Sequence, residues 1–160
     1  MTLPIQEIVL APGEGNRLTI GSSEVTFKAV GADTQGHLGL FENLIHPGGT
    51  APGPHIHRHM EEMFYVLEGE VEILVGNQIL QGQPGAFVLV PRGTPHAFAN
   101  RGTTPAKLLI MFCPGSDREK YFEGLAQLFQ DGQTPNKEAL LELMQRFDQE
   151  SVDIESGWQA

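Results

Sequence analysis

The sequence predicts a mainly-β domain, a sandwich or a barrel, followed by two α-helices. Three observations carry this. Gly supplies 19 and Pro 11 of the 160 residues, above the usual combined share of about 12%, so the chain turns often. Short apolar runs punctuated by Gly, Pro, Asn and Asp fill residues 1–115, the pattern of strands and turns. Beyond residue 115 the apolar spacing becomes that of a helix.

Ten strands are expected, at 17–20, 25–30, 37–45, 55–57, 63–67, 71–75, 78–80, 86–90, 96–99 and 107–112. Each is a β-branched or aromatic-rich run bounded by turn residues. Gly76-Asn77 reads as a hairpin turn between the sixth and seventh. Ser116 and Glu119 have the Ser-x-x-Glu spacing of a capping box. Tyr121, Phe122, Leu125, Leu128 and Phe129 then share one helical face, and Asp131-Gly132 supplies a glycine stop. Thr134-Pro135 opens a second helix with Pro in its first turn, and Ala139, Leu140, Leu143, Met144 and Phe147 form its apolar stripe. The expected organisation is a β domain at 1–115, a helical extension at 116–148 packing on it or on a dimer partner, and a polar tail at 149–160. Val152, Ile154 and Trp158 are the residues that could dock the tail.

Composition narrows the function. The formal net charge is −10, so nucleic acid and anionic membrane surfaces are poor partners. Residues 117–160 hold half of the 20 acidic side chains, the pattern of a solvated helical surface. Cys113 is the single cysteine, which excludes a disulfide framework and a cysteine-rich zinc site; it reads as a small apolar residue ending a strand. No apolar run is long enough to span a membrane. The first ten residues lack a basic start and contain Glu7, unlike a signal peptide. A soluble cytoplasmic protein is expected. There is no nucleophile elbow and no phosphate-binding loop.

Four of the 6 histidines fall within residues 55–96. His55, His57 and His59 alternate, and Glu61-Glu62 follow. On a strand, His55 and His57 point to the same side, where two imidazoles can share a metal ion. A nearby carboxylate is a harder third ligand, and His96 on a later strand could close the site. Three imidazoles and a carboxylate suit first-row divalent metals. Strict alternation would turn Glu61 inward, so the residues alone leave Glu61 and Glu62 open. His37 and His46 read as ordinary strand or loop residues.

The spacing Gly49-x5-His55-x-His57-x4-Glu62-x6-Gly69 resembles the first motif of the cupin superfamily, and Gly85-x5-Pro91-x-Gly93-x2-His96-x3-Asn100 resembles the second. The tight resemblance covers residues 40–113; the flanking segments are similar to single-domain, quercetin-dioxygenase-like cupins. The resemblance implies a double-stranded β-helix, a jelly-roll barrel. It implies a divalent transition metal (Fe, Mn, Ni, Co, Cu or Zn) held by His55, His57, Glu62 and His96, choosing Glu62 over Glu61 through its spacing to Gly69. That choice needs a turn or bulge after His57 and leaves His59 near the mouth or surface. Gly69, Gly85 and Gly93 would make tight corners, Pro91 would stiffen the loop before His96, and Asn100 would be structural. Glu62 would double as a catalytic base, as in flavonol dioxygenases. A homodimer is implied as well.

Residues two positions beyond a ligand share its side. Phe64, Val66 and Phe98 are therefore expected to line a substrate pocket, with contributions from among Phe27, Leu40, Phe87, Met111 and Phe112. Arg58 and Arg92 could reach its mouth. No lining strand offers a pair of bases, so a small apolar or aromatic ligand is expected. The function expected is a metal-dependent dioxygenase-like enzyme acting on a flavonol- or enol-like substrate. The alternatives are a non-oxidative metallo-isomerase, lyase or decarboxylase, and a non-catalytic small-molecule-binding cupin.

Overall fold

The computed structural model describes residues 4–49, 51–130, 134–155 and 157–158. These form β1 (Asn16–Ile20), β2 (Ser23–Ala29), β3 (Gly39–Ile45), β4 (His55–Ile56), β5 (Glu61–Glu68), β6 (Val71–Val75), β7 (Gln78–Gly82), β8 (Phe87–Val90), β9 (His96–Ala99), β10 (Ala106–Cys113) and β11 (Glu150–Ser151). Between β10 and β11 lie α1 (Arg118–Leu128) and α2 (Lys137–Arg146).

The strands make two antiparallel sheets. One runs β1-β2-β3-β10-β5-β8 and the other β11-β4-β9-β6-β7. This corrects the expected barrel: neither sheet closes, and β1, β8, β7 and β11 remain edges. The reason lies in the corners. From β3 onward the chain crosses to the other sheet at almost every connection, the β6–β7 hairpin being the exception. Gly- and Pro-containing corners make these crossings without carrying a hydrogen-bond ladder around, so the sheets meet through side chains instead. Gly69 is such a corner, at φ +71, where a Cβ would lie 2.6 Å from the Pro105 carbonyl oxygen. Gly76, at φ +59, makes the expected two-residue hairpin between Val75 and Gln78.

Alternation decides which face is buried. Along β3 and β10 every second residue is buried, so Phe41, Ile45, Leu108, Ile110 and Phe112 point into one core with Phe64 and Ile73. The rings of Phe27 and Phe41 meet edge to face at 5.2 Å, and Phe122 of α1 stacks at 4.7 Å from Phe41. The helical stripes are therefore covered within the same chain: Tyr121, Phe122 and Met144 belong to the core, with Leu125, Phe129, Leu140, Leu143 and Phe147 packed against it.

The helix starts differ from expectation. Ser116 sits at φ +43 and Asp117 occupies the N-cap without a side-chain cap bond. Glu119 instead accepts the Gly31 N–H at 3.2 Å; the capping box gives way to a long-range bond that ties α1 to the loop after β2. In α2 the cap is Asn136, whose Oδ1 accepts the Glu138 and Ala139 N–H groups, and Pro135 lies just before it. The Asp131-Gly132 stop lies outside the described residues. The tail is not simply polar overhang: β11 pairs with β4 through Glu150↔Ile56 and Ser151↔His55. No described helix is long and apolar enough to cross a membrane.

Candidate metal centre

His55 and His96 are partners across the β4–β9 ladder, so two imidazoles emerge side by side from adjacent strands. His57 follows two residues after His55 and turns to the same side. The chain then bends at residues 58–59 before β5 begins, and that bend brings Glu62 rather than Glu61 inward. Glu62 belongs to the opposite sheet, between Phe112 of β10 and Val90 of β8. The site thus spans the gap between sheets, with three imidazoles on one wall and a carboxylate on the other.

All four side chains are buried, and one donor atom from each lies within 4.8 Å of the others. Glu62 Oε2 is 2.9 Å from His57 Nε2 and 2.7 Å from His96 Nε2. The ring centroids of His55 and His96 are 4.3 Å apart. Glu61 faces solvent and pairs with Arg92 at 2.7 Å. His59, His37 and His46 are exposed.

The Nδ1 atoms test whether a cation fits. His55 Nδ1 lies 2.8 Å from the Gly53 carbonyl, His96 Nδ1 2.9 Å from the Thr94 carbonyl, and His57 Nδ1 2.5 Å from the Asp148 carbonyl. A carbonyl only accepts, so each Nδ1 carries a proton, and each Nε2 is the position that takes either a second proton or a metal ion. His57 and His96 both turn Nε2 onto one oxygen of Glu62; without a metal, protons on Nε2 make these hydrogen bonds, and a metal ion would take the protons' place. The donors lie close enough together for one ion to gather them with small shifts, metal–donor bonds being about 2.0–2.2 Å. The chain therefore presents a cluster of three histidines and one glutamate capable of coordinating a divalent transition metal. The carbonyls fix the ring tautomers, as outer partners of metal-bound histidines commonly do.

The electrostatics agree. Burial holds His55 well below its ordinary value, and the neighbouring His96 and His57 add to this against Glu62 and the Gly53 carbonyl. Burial alone would raise Glu62, but His96 and His57, by charge and hydrogen bond, outweigh it and hold the carboxyl well below its usual range. At neutral pH His55 is a neutral imidazole and Glu62 is ionised, the states a metal requires.

A cavity of about 220 Å³ adjoins the cluster. His55, Glu62 and Phe98 border it from the sheets; α1 and α2 roof it with Phe122, Leu125 and Met144. Of the expected pocket residues, Phe98 and Phe112 line this cavity. Phe64, Val66 and Phe27 are buried in the core, Phe87 is exposed, and Leu40 and Met111 lie on the outward side of their strands. Arg58 does not reach the cavity either; it pairs with Glu150 at 2.8 Å.

Two residues went unmarked in the sequence. Asp148 accepts the Arg58 and His59 N–H groups at 3.0 and 2.8 Å through its carboxylate, while its carbonyl holds His57. Arg118 is buried and borders the same cavity as Glu62. Its position was readable: it falls one helical turn before Tyr121 and Phe122, on the apolar stripe, but its charged neighbours Asp117, Glu119 and Lys120 disguise it.

Residues 42–112 match the cupin-domain family. A quercetin 2,3-dioxygenase of Bacillus subtilis (strain 168) is 33% identical over 90 residues, 56% of this chain and 26% of that protein. The tetracenomycin polyketide synthase protein TcmJ of Streptomyces glaucescens is 30% identical over 94 residues, 59% of this chain and 60% of that protein. Both alignments span less than two thirds of the relative's own length. Among solved structures, KdgF from Halomonas sp. superposes with a TM-score of 0.63 at 16% identity, over 71% of this chain and 99% of that one, a likeness of fold. The segment that matches the cupin-domain family, residues 42–112, is thus the one that holds the three histidines and the glutamate.

Proposed function

We propose that this protein is a metal-dependent cupin oxygenase acting on a small phenol or enol. The observation that carries this is the opening of the histidine–glutamate cluster onto a partly open, mainly apolar cavity. His55, His57, Glu62 and His96 would hold the metal, which when bound can bring dioxygen and an enolate oxygen together. Glu62 Oε2 is taken up by His57 and His96, leaving Oε1 to accept the proton of a substrate hydroxyl. Phe98 and Phe112 would border the substrate, and the helical roof covers one side of it. The partial match to a quercetin dioxygenase supports oxygen chemistry.

Size limits the substrate. An apolar cavity of about 150 Å³ admits benzene, so 220 Å³ admits about nine non-hydrogen atoms on the same scale. A single-ring phenol or short enol fits within that volume, and a three-ring flavonol would extend out through the open side. The test is oxygen uptake by protein reconstituted separately with Fe, Mn, Ni, Co and Cu, across a panel of single-ring phenols and enols. Uptake is expected in the wild type and is lost in Glu62→Gln. No uptake with any metal removes the oxygenase reading, and turnover of the same compounds under argon assigns a non-oxidative isomerase, lyase or decarboxylase instead.

A further inference from the structure

Arg118 stands out among the cavity residues. It is 3% exposed, and a guanidinium cannot shed its charge when buried. Its hydrogen bonds go to neutral groups, the Phe147 carbonyl at 3.1 Å and Gln149 Oε1 at 2.6 Å. Among the described residues its Nε has no hydrogen-bond partner, and no described carboxylate forms an ion pair with it. Tyr121, Phe112 and Phe122 surround the guanidinium, with ring centres 4.0, 4.6 and 5.6 Å from Cζ. Aromatic faces stabilise a desolvated cation without neutralising it.

A second orphan borders the same cavity. Asn43 is buried and its Oδ1 lacks a partner among the described residues. The nearby anion, Glu62, is committed to His57 and His96 and would be committed to the metal. The rest of the lining is apolar, including Ile20, Val25, Ile110 and Leu125. A buried charge without a counter-ion and a buried amide oxygen without a donor, beside an apolar hollow, are costly unless a ligand completes them.

We propose that Arg118 is the anion-recognising residue of this cavity and that the ligand is a small organic carboxylate with an apolar or aromatic body. The planar guanidinium suits a carboxylate. The body fills the apolar hollow between Arg118 and the metal cluster, and a hydroxyl or protonated group on the ligand satisfies Asn43. This rests on the cavity being the substrate site, and it refines the phenol or enol above to one that bears a carboxylate. Arg118 fixes orientation, because the anion held at α1 turns the opposite end of the molecule toward Glu62.

The test uses benzoate and its neutral counterpart benzamide as probes, titrated calorimetrically into the full chain stripped of metal, so that no ion can capture the carboxylate. Wild-type protein is expected to bind benzoate at least tenfold more tightly than benzamide. Arg118→Gln is expected to abolish that preference, and Arg118→Lys to restore part of it. Equal binding of the two probes, failure of both to bind wild type at millimolar concentration, or a preference for benzoate that emerges only when metal is added overturns the proposal. The wild-type comparison stands even if the Arg118 variants do not fold. Anion preference without oxygen uptake would leave this inference standing while the oxygenase reading falls. Oxygen uptake with neutral substrates and no anion preference would do the reverse.

Discussion

Asp148→Ala should weaken the metal centre although Asp148 is not a ligand. Asp148 sits in the left-handed region at φ +54, ties down the backbone after His57 with its carboxylate, and holds the His57 ring with its carbonyl. The carbonyl survives the substitution; what is lost is its position. Hydrogen bonds to a charged group are worth about 1.5–3 kcal/mol each; two half-exposed ones warrant the lower end, and left-handed backbone costs alanine about 1 kcal/mol. The expected loss is about 2–4 kcal/mol in stability of the metal-free chain. Displacing the outer partner of a metal-bound histidine lowers affinity about 10–100-fold, or about 1.4–2.7 kcal/mol. Asp148→Asn, which tolerates the same backbone and keeps one acceptor, should show roughly half of each effect. Urea unfolding of the apo protein and chelator competition for Co²⁺ measure the two terms separately. Refutation would be an Asp148→Ala variant that loses stability yet binds Co²⁺ within about twofold of wild type, because the C-terminal segment would then not orient His57.

Three further outcomes follow from the same geometry. His96→Ala should lose the metal that natively purified wild-type protein carries, read by elemental analysis; a full complement in the variant would overturn the ligand set. Asn100→Ala should cost about 2–4 kcal/mol in urea unfolding, because Asn100 Nδ2 donates to the Ile45 and Thr104 carbonyls and its Oδ1 accepts the Gly102 N–H; a loss under about 1 kcal/mol would contradict its structural role. In chelator, stability should fall as pH drops below 6.5, the ordinary value of His55, toward its lowered folded value. In that window the unfolded chain takes a proton that the folded chain refuses, with a slope approaching about 1.4 kcal/mol per pH unit. Glu62, also lowered, adds a second loss below its ordinary 4.5. A melting temperature that stays level or rises on acidification from about pH 7 to pH 5 would refute the assignment of His55, and one that falls no further below about pH 4.5 would refute that of Glu62.

The sequence by itself determined the elements and the metal cluster. The first ten strands appear within a few residues of their expected ends, because alternation and turn residues act over a handful of neighbours. The expected ligands His55, His57, Glu62 and His96 come together because the spacing of His55, Glu62 and His96 to fixed corners sets where the chain returns. Tertiary structure alone decided three things. Whether the sheets close depends on hydrogen bonds between edges distant in sequence, and β1, β8, β7 and β11 do not make them. The two-residue β11 has no periodicity to read and exists through its pairing with β4. Arg118 belongs to a charged tetrad in the sequence, yet α1 packs on Phe112 and Phe41 with that side chain beneath it. A helix's apolar stripe can be read locally; what lies under it is fixed by where the rest of the chain puts the cavity.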